Sequence, residues 1–343
     1  MKKHRNIPIF VPHLGCPNTC VFCNQRKISG CEKADFSSVS NEIEEALDTI
    51  PYGTEVQIAF FGGSFTGIDR GDMLYLLGVA KKYIDEGRVE SVRLSTRPDY
   101  ISEEILDILA AHGVKTIELG IQSMSDEVLR ASGRGHTAEQ TERACRLITE
   151  RGFELVGQMM TGLPGSDPEK DRYTAEKICE MGACGARIYP TVVFRGTELE
   201  NMMNRGEYTS REMEKVIAEG AELLPIFVRH GVKIIRIGLQ SSELLTEGEE
   251  TASPYHEATG ELIWARAYRN VAEEFLSRAD NSGKLAIITV PKGATSKMIG
   301  QNKENVTYLK EKYSLWGIKV KENSSRESLD IGFAFEERKS ICD

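Results

Sequence analysis

The sequence predicts an α/β protein, an incomplete (β/α)6-type barrel followed by a small α+β appendage. Three observations carry that reading. Short runs rich in valine and isoleucine alternate with amphipathic stretches from about residue 7 to about residue 240, the pattern of parallel strands joined by helical crossovers. The polar motifs fall in the loops that follow those runs, the end of a barrel at which chemistry collects. From Lys284 to Glu322 the composition shifts and lysines outnumber acids. The expected organisation is a partial barrel over 1–240, a helical extension over 241–283, an α+β subdomain over 284–322 and a poorly ordered charged tail over 323–343.

The candidate strands, in order, are Ile7–Val11, Val56–Phe61, Ser91–Thr96, Thr116–Gly120, Glu154–Met160, Ala186–Thr191 and a less regular Lys233–Gly238. Between them Ile43, Ala46, Leu47 and Ile50 share one helical face, as do Ile105, Ile108 and Leu109. Farther on, Ile263, Ala267 and Val271 form a core-facing stripe.

At 343 residues, 40% apolar and 28% charged, the chain has the composition of a soluble globular protein. No run approaches a membrane span. The apolar stretch after the basic first six residues is too short for a signal peptide and is broken by Pro8 and Pro12. Eight cysteines without a disulfide rhythm suit a reducing compartment. A cytoplasmic protein with no membrane partner is expected. The net charge of −9 argues against indiscriminate nucleic-acid binding by the whole surface. No DNA partner is expected, and a local basic patch stays open.

Chemistry concentrates first at Cys16-Pro-Asn-Thr-Cys20-Val-Phe22-Cys23, a C-x3-C-x2-C loop directly after the first strand. Three thiolates on one short loop can hold three irons of a cubane cluster and leave the fourth open to a small molecule. Two cysteines two apart are also half of a zinc knuckle. That alternative needs a fourth ligand, for which His13 and Cys31 are the nearby candidates, and neither falls at a second C-x2-C. Cys31, Cys145, Cys179, Cys184 and Cys342 are scattered and read as buried or free thiols.

The second strand runs into Phe61-Gly62-Gly63-Ser64-Phe65-Thr66-Gly67. Paired glycines let a backbone approach a ligand, or simply make a tight turn. No lysine follows Gly67, so the loop is no phosphate-binding P-loop. Ser95-Thr96-Arg97-Pro98-Asp99-Tyr100 ends the third strand, and Glu118-Leu119-Gly120-Ile121-Gln122-Ser123-Met124 the fourth. Gly133-Arg134-Gly135-His136-Thr137, Gln158-Met159-Met160-Thr161-Gly162, Ile188-Tyr189-Pro190-Thr191 and Arg195-Gly196-Thr197 follow. Arg97-Pro98 reads equally as a strand end, and Glu118 as a buried carboxylate paired with an arginine. Gln122 and Gln158 offer both donor and acceptor. His136 braces a loop or carries a proton.

These residues together resemble the radical S-adenosylmethionine (SAM) superfamily. The order of motifs over residues 7–240 is similar to the radical SAM half of the elongator catalytic-subunit family, which begins carboxymethylation of the tRNA wobble uridine. The resemblance implies that Cys16, Cys20 and Cys23 hold a [4Fe–4S] cluster, and that SAM is cleaved to methionine and a 5′-deoxyadenosyl radical. It implies SAM contacts from Phe22, Gly62, Gly63, Ser64, Thr96, Glu118, Gln122 and Gln158. Arg97, His136 and Tyr189 face the substrate in the same reading, and Lys303 is the substrate candidate of the appendage. An electron donor such as flavodoxin or ferredoxin and a tRNA or other RNA partner are implied with them. Two departures stand out. Ser64 replaces the usual acid after the glycine pair, and the first cysteine gap is short. No acetyl-CoA pyrophosphate loop is legible in the last hundred residues, so the acetyltransferase half of that family is not expected. Radical chemistry on a small molecule or peptide, and RNA binding with a structural cluster, remain the alternatives.

In the appendage, Leu285–Val290 reads as a strand, Ser296–Ile299 and Asn305–Lys312 as helices around a Gly300-Gln301-Asn302-Lys303 turn, and Ile318–Val320 as a strand. That order resembles the core of a KH RNA-binding fold, in which a G-x-x-G turn clamps a nucleic-acid backbone. Lys303 stands at the second glycine position. A small capping subdomain with a solvated lysine face is the alternative.

Overall fold

The computed structural model describes residues 4–11, 20–23, 36–239, 251–253 and 255–337. Among them are the strands β1 His4–Val11, β2 Glu55–Gly62, β3 Ser91–Thr96, β4 Val114–Gln122, β5 Glu154–Thr161 and β6 Gly185–Pro190. They pair in sequence order, each parallel to the next. The helices between them are α1 Val39–Thr49, α2 Arg70–Asp85, α3 Glu103–Ala111, α4 Asp126–Ala131, α5 Ala138–Glu150 and α6 Pro168–Glu180. The expected partial barrel is therefore present as a curled parallel sheet, in which Lys233–Ile237 is the seventh strand. β1 starts earlier than its apolar run because His4, Arg5 and Asn6 pair with Glu55, Val56 and Gln57 of β2.

Local chemistry sets the helix starts. Asp69 accepts hydrogen bonds from Gly71 N and Asp72 N, Ser102 from Ile105 N, and Asp167 from Lys170 N ahead of Pro168. Such caps satisfy amide groups that no helical carbonyl reaches. Alternation along the strands then divides the sheet into two faces. Leu155, Gly157 and Met159 face the helices; a Cβ on Gly157 would lie 2.6 Å from Ile178 Cγ2 of α6. The opposite face carries Gln57, Arg93, Glu118, Gln158 and Arg187, brought together by the parallel registers. The sheet is thus apolar beneath its helices and polar within its curl.

The described residues divide into two compact units. The first runs to Ser210 and regains residues 251–253; the second holds the rest from Arg211 onward. In the first, α7 Glu198–Asn204 follows β6, and Ala252 N donates to Val193 O at 2.7 Å. In the second are α8 Met213–Arg229, β7 Lys233–Ile237 and α9 Thr259–Leu276. Here α8 and β7 pack with α9. At Gly220 the two helices approach so closely that a Cβ would lie 2.7 Å from Ile263 Cδ1. Ile263 and Ala267 are buried as expected, whereas Val271 is half-buried and Ala272 takes the inward place.

The second unit continues with β8 Leu285–Pro291, α10 Thr295–Ile299, α11 Glu304–Lys312 and β9 Gly317–Asn323, and adds β10 Gly332–Glu336. β8 and β9 are parallel, and β10 pairs antiparallel with the other edge of β8. Residues 323–343 were expected as a loose tail, and β10 corrects that for 332–336. Phe333 stacks on Phe275 of α9 at 4.0 Å between ring centroids. Aromatic stacking and ladder hydrogen bonds order a segment whose flanking charges suggest none.

Candidate active site at the strand ends

Only part of the cysteine loop lies among the described residues, and the geometry there is tight. Cys23 N donates to Cys20 O at 3.0 Å, so the two cysteines share one turn. Val21 N donates to Ser132 O at 3.1 Å and Leu199 N to Val21 O at 2.8 Å, which ties the turn to the end of α4 and the start of α7. Val21 and Phe22 pack against Val193, Leu199 and Tyr208. Phe22 is thus an anchor of the turn. Cys20 is buried and Cys23 half-buried. Cys16, Cys31, His13 and Cys342 lie outside the described residues, so the zinc alternative stays untouched there.

The other described thiols have different surroundings. Burial, helped by Glu142, pushes the Cys145 thiol up to about 12. Burial, helped by Glu180 and Glu176, pushes Cys179 up to about 11. Both remain protonated at neutral pH and sit on helices behind the sheet, so neither is a ready thiolate. Cys184 is exposed.

The glycine loop adjoins the end of β1. Gly62 pairs with Val11 across the sheet and has φ of 119°. A Cβ there would lie 2.3 Å from Val11 O, so only glycine fits. Gly63 N donates to Val11 O at 3.0 Å. Ser64 is buried and its carbonyl accepts from Gly67 N at 2.9 Å. Thr66 and Thr96 hydroxyls meet at 2.6 Å, and Thr66 also donates to Tyr100 O at 3.2 Å. Thr96 therefore braces the glycine loop against the loop after β3.

Glu118 has no exposed surface. Its carboxylate accepts from Arg93 Nη2 at 2.7 Å, Arg187 Nε at 2.7 Å, Arg187 Nη2 at 3.1 Å and Gln158 Nε2 at 2.8 Å. Of the two places the sequence leaves open, the carboxylate occupies the one paired with arginine. Gln158 is held by it, and Arg187 also lies over the Phe61 ring at 5.6 Å. Tyr189, two residues along β6, shares the face of Arg187 and is half-buried. Gln122 differs from these. It has φ of 64° at a register shift in β4, and its buried Oε1 has no partner. A strained residue with an orphan acceptor at a strand end is a ligand-contact candidate.

Arg97 lies beneath the loops, 2% exposed. It grips Asp99 with two bonds of 2.9 and 3.0 Å and donates to the Arg134 carbonyl. These bonds hold the 133–137 loop. That loop is fixed from both sides: Arg134 N donates to Leu129 O at 2.9 Å, and Thr137 with Gln140 forms a capping box on α5. Arg134 itself is 6% exposed; its Nη2 donates to Gly120 O at 2.7 Å and its Nη1 to Cys20 Sγ at 3.4 Å. Sequence reasoning passed over Arg93, Arg134 and Arg187. Charged residues in otherwise apolar strands, and an arginine between two glycines, were the available signals.

His136 is 4% exposed, and neither ring nitrogen has a hydrogen-bond partner. Burial first, then Arg134 and Arg97, push it down to about 3, against Asp99 and the Ile121 backbone, which pull it up. Burial and the neighbouring guanidiniums thus favour the neutral ring. The unfolded chain protonates this histidine below about pH 6.5 while the folded chain does not. Stability carried by the neutral ring is whole above that value and falls by about 1.4 kcal/mol per unit as pH drops toward the folded value. His136→Phe should flatten the limb between about pH 6.5 and about pH 3. Urea midpoints measured across that range check it; parallel wild-type and variant curves refute it.

Lys303 is exposed in the second unit, at the N-terminus of α11 with φ of 64°. Gly300, with φ of 78°, packs so closely on Asn305 that a Cβ would lie 3.0 Å from it. Asn305 Nδ2 donates in turn to Ala265 O at 2.8 Å.

Comparison with known proteins agrees with this geometry. Residues 10–178 match the Radical SAM superfamily and residues 184–269 the Radical_SAM C-terminal domain. The chain is 36% identical over 150 residues to a tRNA uridine(34) acetyltransferase of Methanocaldococcus jannaschii, covering 42% of this chain and 28% of that protein. It is 31% identical over 266 residues to Elongator complex protein 3 of Dictyostelium discoideum, covering 66% and 47%. The chain thus spans less than half the length of either relative. The structure of an archaeal Elp3 from Methanocaldococcus infernus, truncated at its N-terminus, superposes with a TM-score of 0.62 at 21% identity, covering 80% of this chain and 64% of that one. At that identity the likeness is one of fold.

Proposed function

The chain belongs to the radical SAM superfamily of enzymes, and from that premise we propose that it modifies a base of tRNA, with a [4Fe–4S] cluster on Cys16, Cys20 and Cys23. The observation that carries this reading is the Cys20–Cys23 turn, with a guanidinium donating to Cys20 Sγ. Soft thiolates supported by a charged donor suit an iron–sulfur cluster. When bound, the cluster supplies the electron that cleaves SAM to methionine and a 5′-deoxyadenosyl radical. The chain's own residues do the rest. Gly62, Gly63 and Ser64 offer backbone groups to SAM, and Gln122 offers its orphan carbonyl. Thr96 holds that loop through Thr66. Glu118 and Gln158 keep Arg93 and Arg187 in place within the curl of the sheet, and Tyr189 faces the substrate beside them.

Support for a tRNA substrate comes from the names of the relatives and from the second unit. Between Lys284 and Glu322 there are eight lysines against three glutamates. Both Asn302 and Lys303 adopt positive φ at the turn between α10 and α11, a conformation costly for non-glycine residues and often kept for a binding task. Lys303→Glu should weaken tRNA binding about tenfold at low salt and reduce the salt slope by about 1. Gel shifts across a salt series measure both, and unchanged binding removes the second unit from the RNA site.

The reaction is tested anaerobically. The full chain, loaded with iron and sulfide, is given dithionite or a flavodoxin-type donor with SAM, and 5′-deoxyadenosine is assayed with and without bulk tRNA. Formation stimulated by tRNA is the expected result. Formation without stimulation points to a small-molecule or peptide substrate. No deoxyadenosine from a loaded protein leaves an RNA-binding protein with a structural cluster.

A further inference from the structure

We infer that Arg134 sets the reduction potential of the cluster, by donating a charged hydrogen bond to the sulfur of Cys20. The inference rests on the radical SAM reading above. Arg134 is 6% exposed, and among the described residues no carboxylate pairs with it. Burying an unpaired guanidinium is costly. Gly120 O, at 2.7 Å, takes one donor but carries no charge to balance it. The other terminal nitrogen meets Cys20 Sγ at 3.4 Å. A neutral thiol is a weak acceptor, whereas a thiolate bound to iron supplies both an acceptor and the missing negative charge. The cation is intelligible once the cluster is in place.

The position of Arg134 is over-determined. Gly133 and Gly135 flank it with φ of 65° and 77°. Its own amide is tied to Leu129 O and its carbonyl accepts from Arg97, which Asp99 holds. The Arg97–Asp99 pair therefore acts through the loop to aim Arg134, as a positioning device two steps from the sulfur. One-electron reduction makes a thiolate-ligated cluster more negative. A fixed cation and hydrogen bond at one sulfur favour that state and raise the potential. Arg134 thereby brings the cluster within reach of its donor.

The test is an EPR-monitored redox titration of the anaerobically loaded full chain, with iron and sulfide counted in each sample. In Arg134→Gln the reduced-to-oxidised ratio at a fixed solution potential should fall about tenfold, a midpoint lower by about 59 mV for a one-electron couple. Arg134→Lys keeps the charge without the fork and should fall between the two. An unmoved midpoint in a fully loaded Gln variant overturns the inference, since a merely structural arginine would change stability and leave the potential alone. Wild-type protein labelled with 15N-arginine provides a second readout that no folding defect can confuse. Pulsed EPR of the reduced cluster should show hyperfine coupling to an arginine nitrogen, and its absence overturns the inference. A wild-type chain that takes up no iron defeats the cluster reading itself. Iron taken up with neither signal defeats only the role of Arg134.

Discussion

Cys20→Ala should abolish iron loading and reductive cleavage of SAM, with deoxyadenosine falling more than about a hundredfold, since removing a ligand outright exceeds the usual effect of removing a ligand's partner. The variant does two things at once. It deletes one of the three thiolates proposed to hold the cluster. It also strips the acceptor from Arg134 Nη1, whose 3.4 Å bond to the sulfur is lost, leaving a buried donor unsatisfied at a cost of about 1–3 kcal/mol. Cys16→Ala and Cys23→Ala should share the first effect and not the second. Cys145→Ala and Cys179→Ala should show neither, because burial keeps those thiols protonated behind the sheet. The measurements are iron content, the visible absorbance of the cluster and deoxyadenosine by chromatography, with a urea midpoint to separate loading from folding. A Cys20→Ala protein with full absorbance and full cleavage would sink the assignment.

The fold was legible because a parallel sheet covered by helices writes its strands as valine- and isoleucine-rich runs. β3 coincides with its expected run, Ser91–Thr96, and β8 and β9 differ only at their ends. β10 was missed because Phe333 and Phe335 are a short alternation among charges, ordered by stacking on Phe275 from another element. The placement of α8 with α9 was hidden for the same reason: the approach at Gly220 involves Ile263, far along the chain. At the site, spacing exposed the cysteine loop, and a paired glycine exposed the approach of β2 to Val11. Roles set by partners distant in sequence did not show. Arg97 looked outward from its motif, and its bonds to Asp99 and the Arg134 carbonyl turn it inward. Arg134 sits 114 residues from Cys20, and no local pattern announces such a contact.

Glu118→Gln should destabilise the protein by about 3–5 kcal/mol, the cost of breaking a buried charge cluster by removing one partner. The amide keeps the shape and the bond to Gln158 but leaves two guanidiniums, Arg93 and Arg187, facing each other without a counter-charge. Both are largely buried, with side chains 8% and 11% exposed. Stability and substrate handling can be separated here. If Glu118 chiefly holds the arginines, Glu118→Gln lowers the urea midpoint strongly, and the protein that stays folded at low temperature binds SAM with little change in affinity. If it contacts the ribose of SAM, affinity falls while the midpoint barely moves. The four bonds of 2.7 to 3.1 Å that saturate the carboxylate favour the first outcome. A compensating variant sharpens the test: Glu118→Leu with Arg93→Met and Arg187→Met replaces the cluster with apolar groups and should regain much of the lost stability. Regained stability with tRNA-stimulated turnover still absent would show that the charges within the curl serve the substrate as well as the fold. A Glu118→Gln midpoint equal to wild type would mean that the pairing carries little of the stability assigned to it.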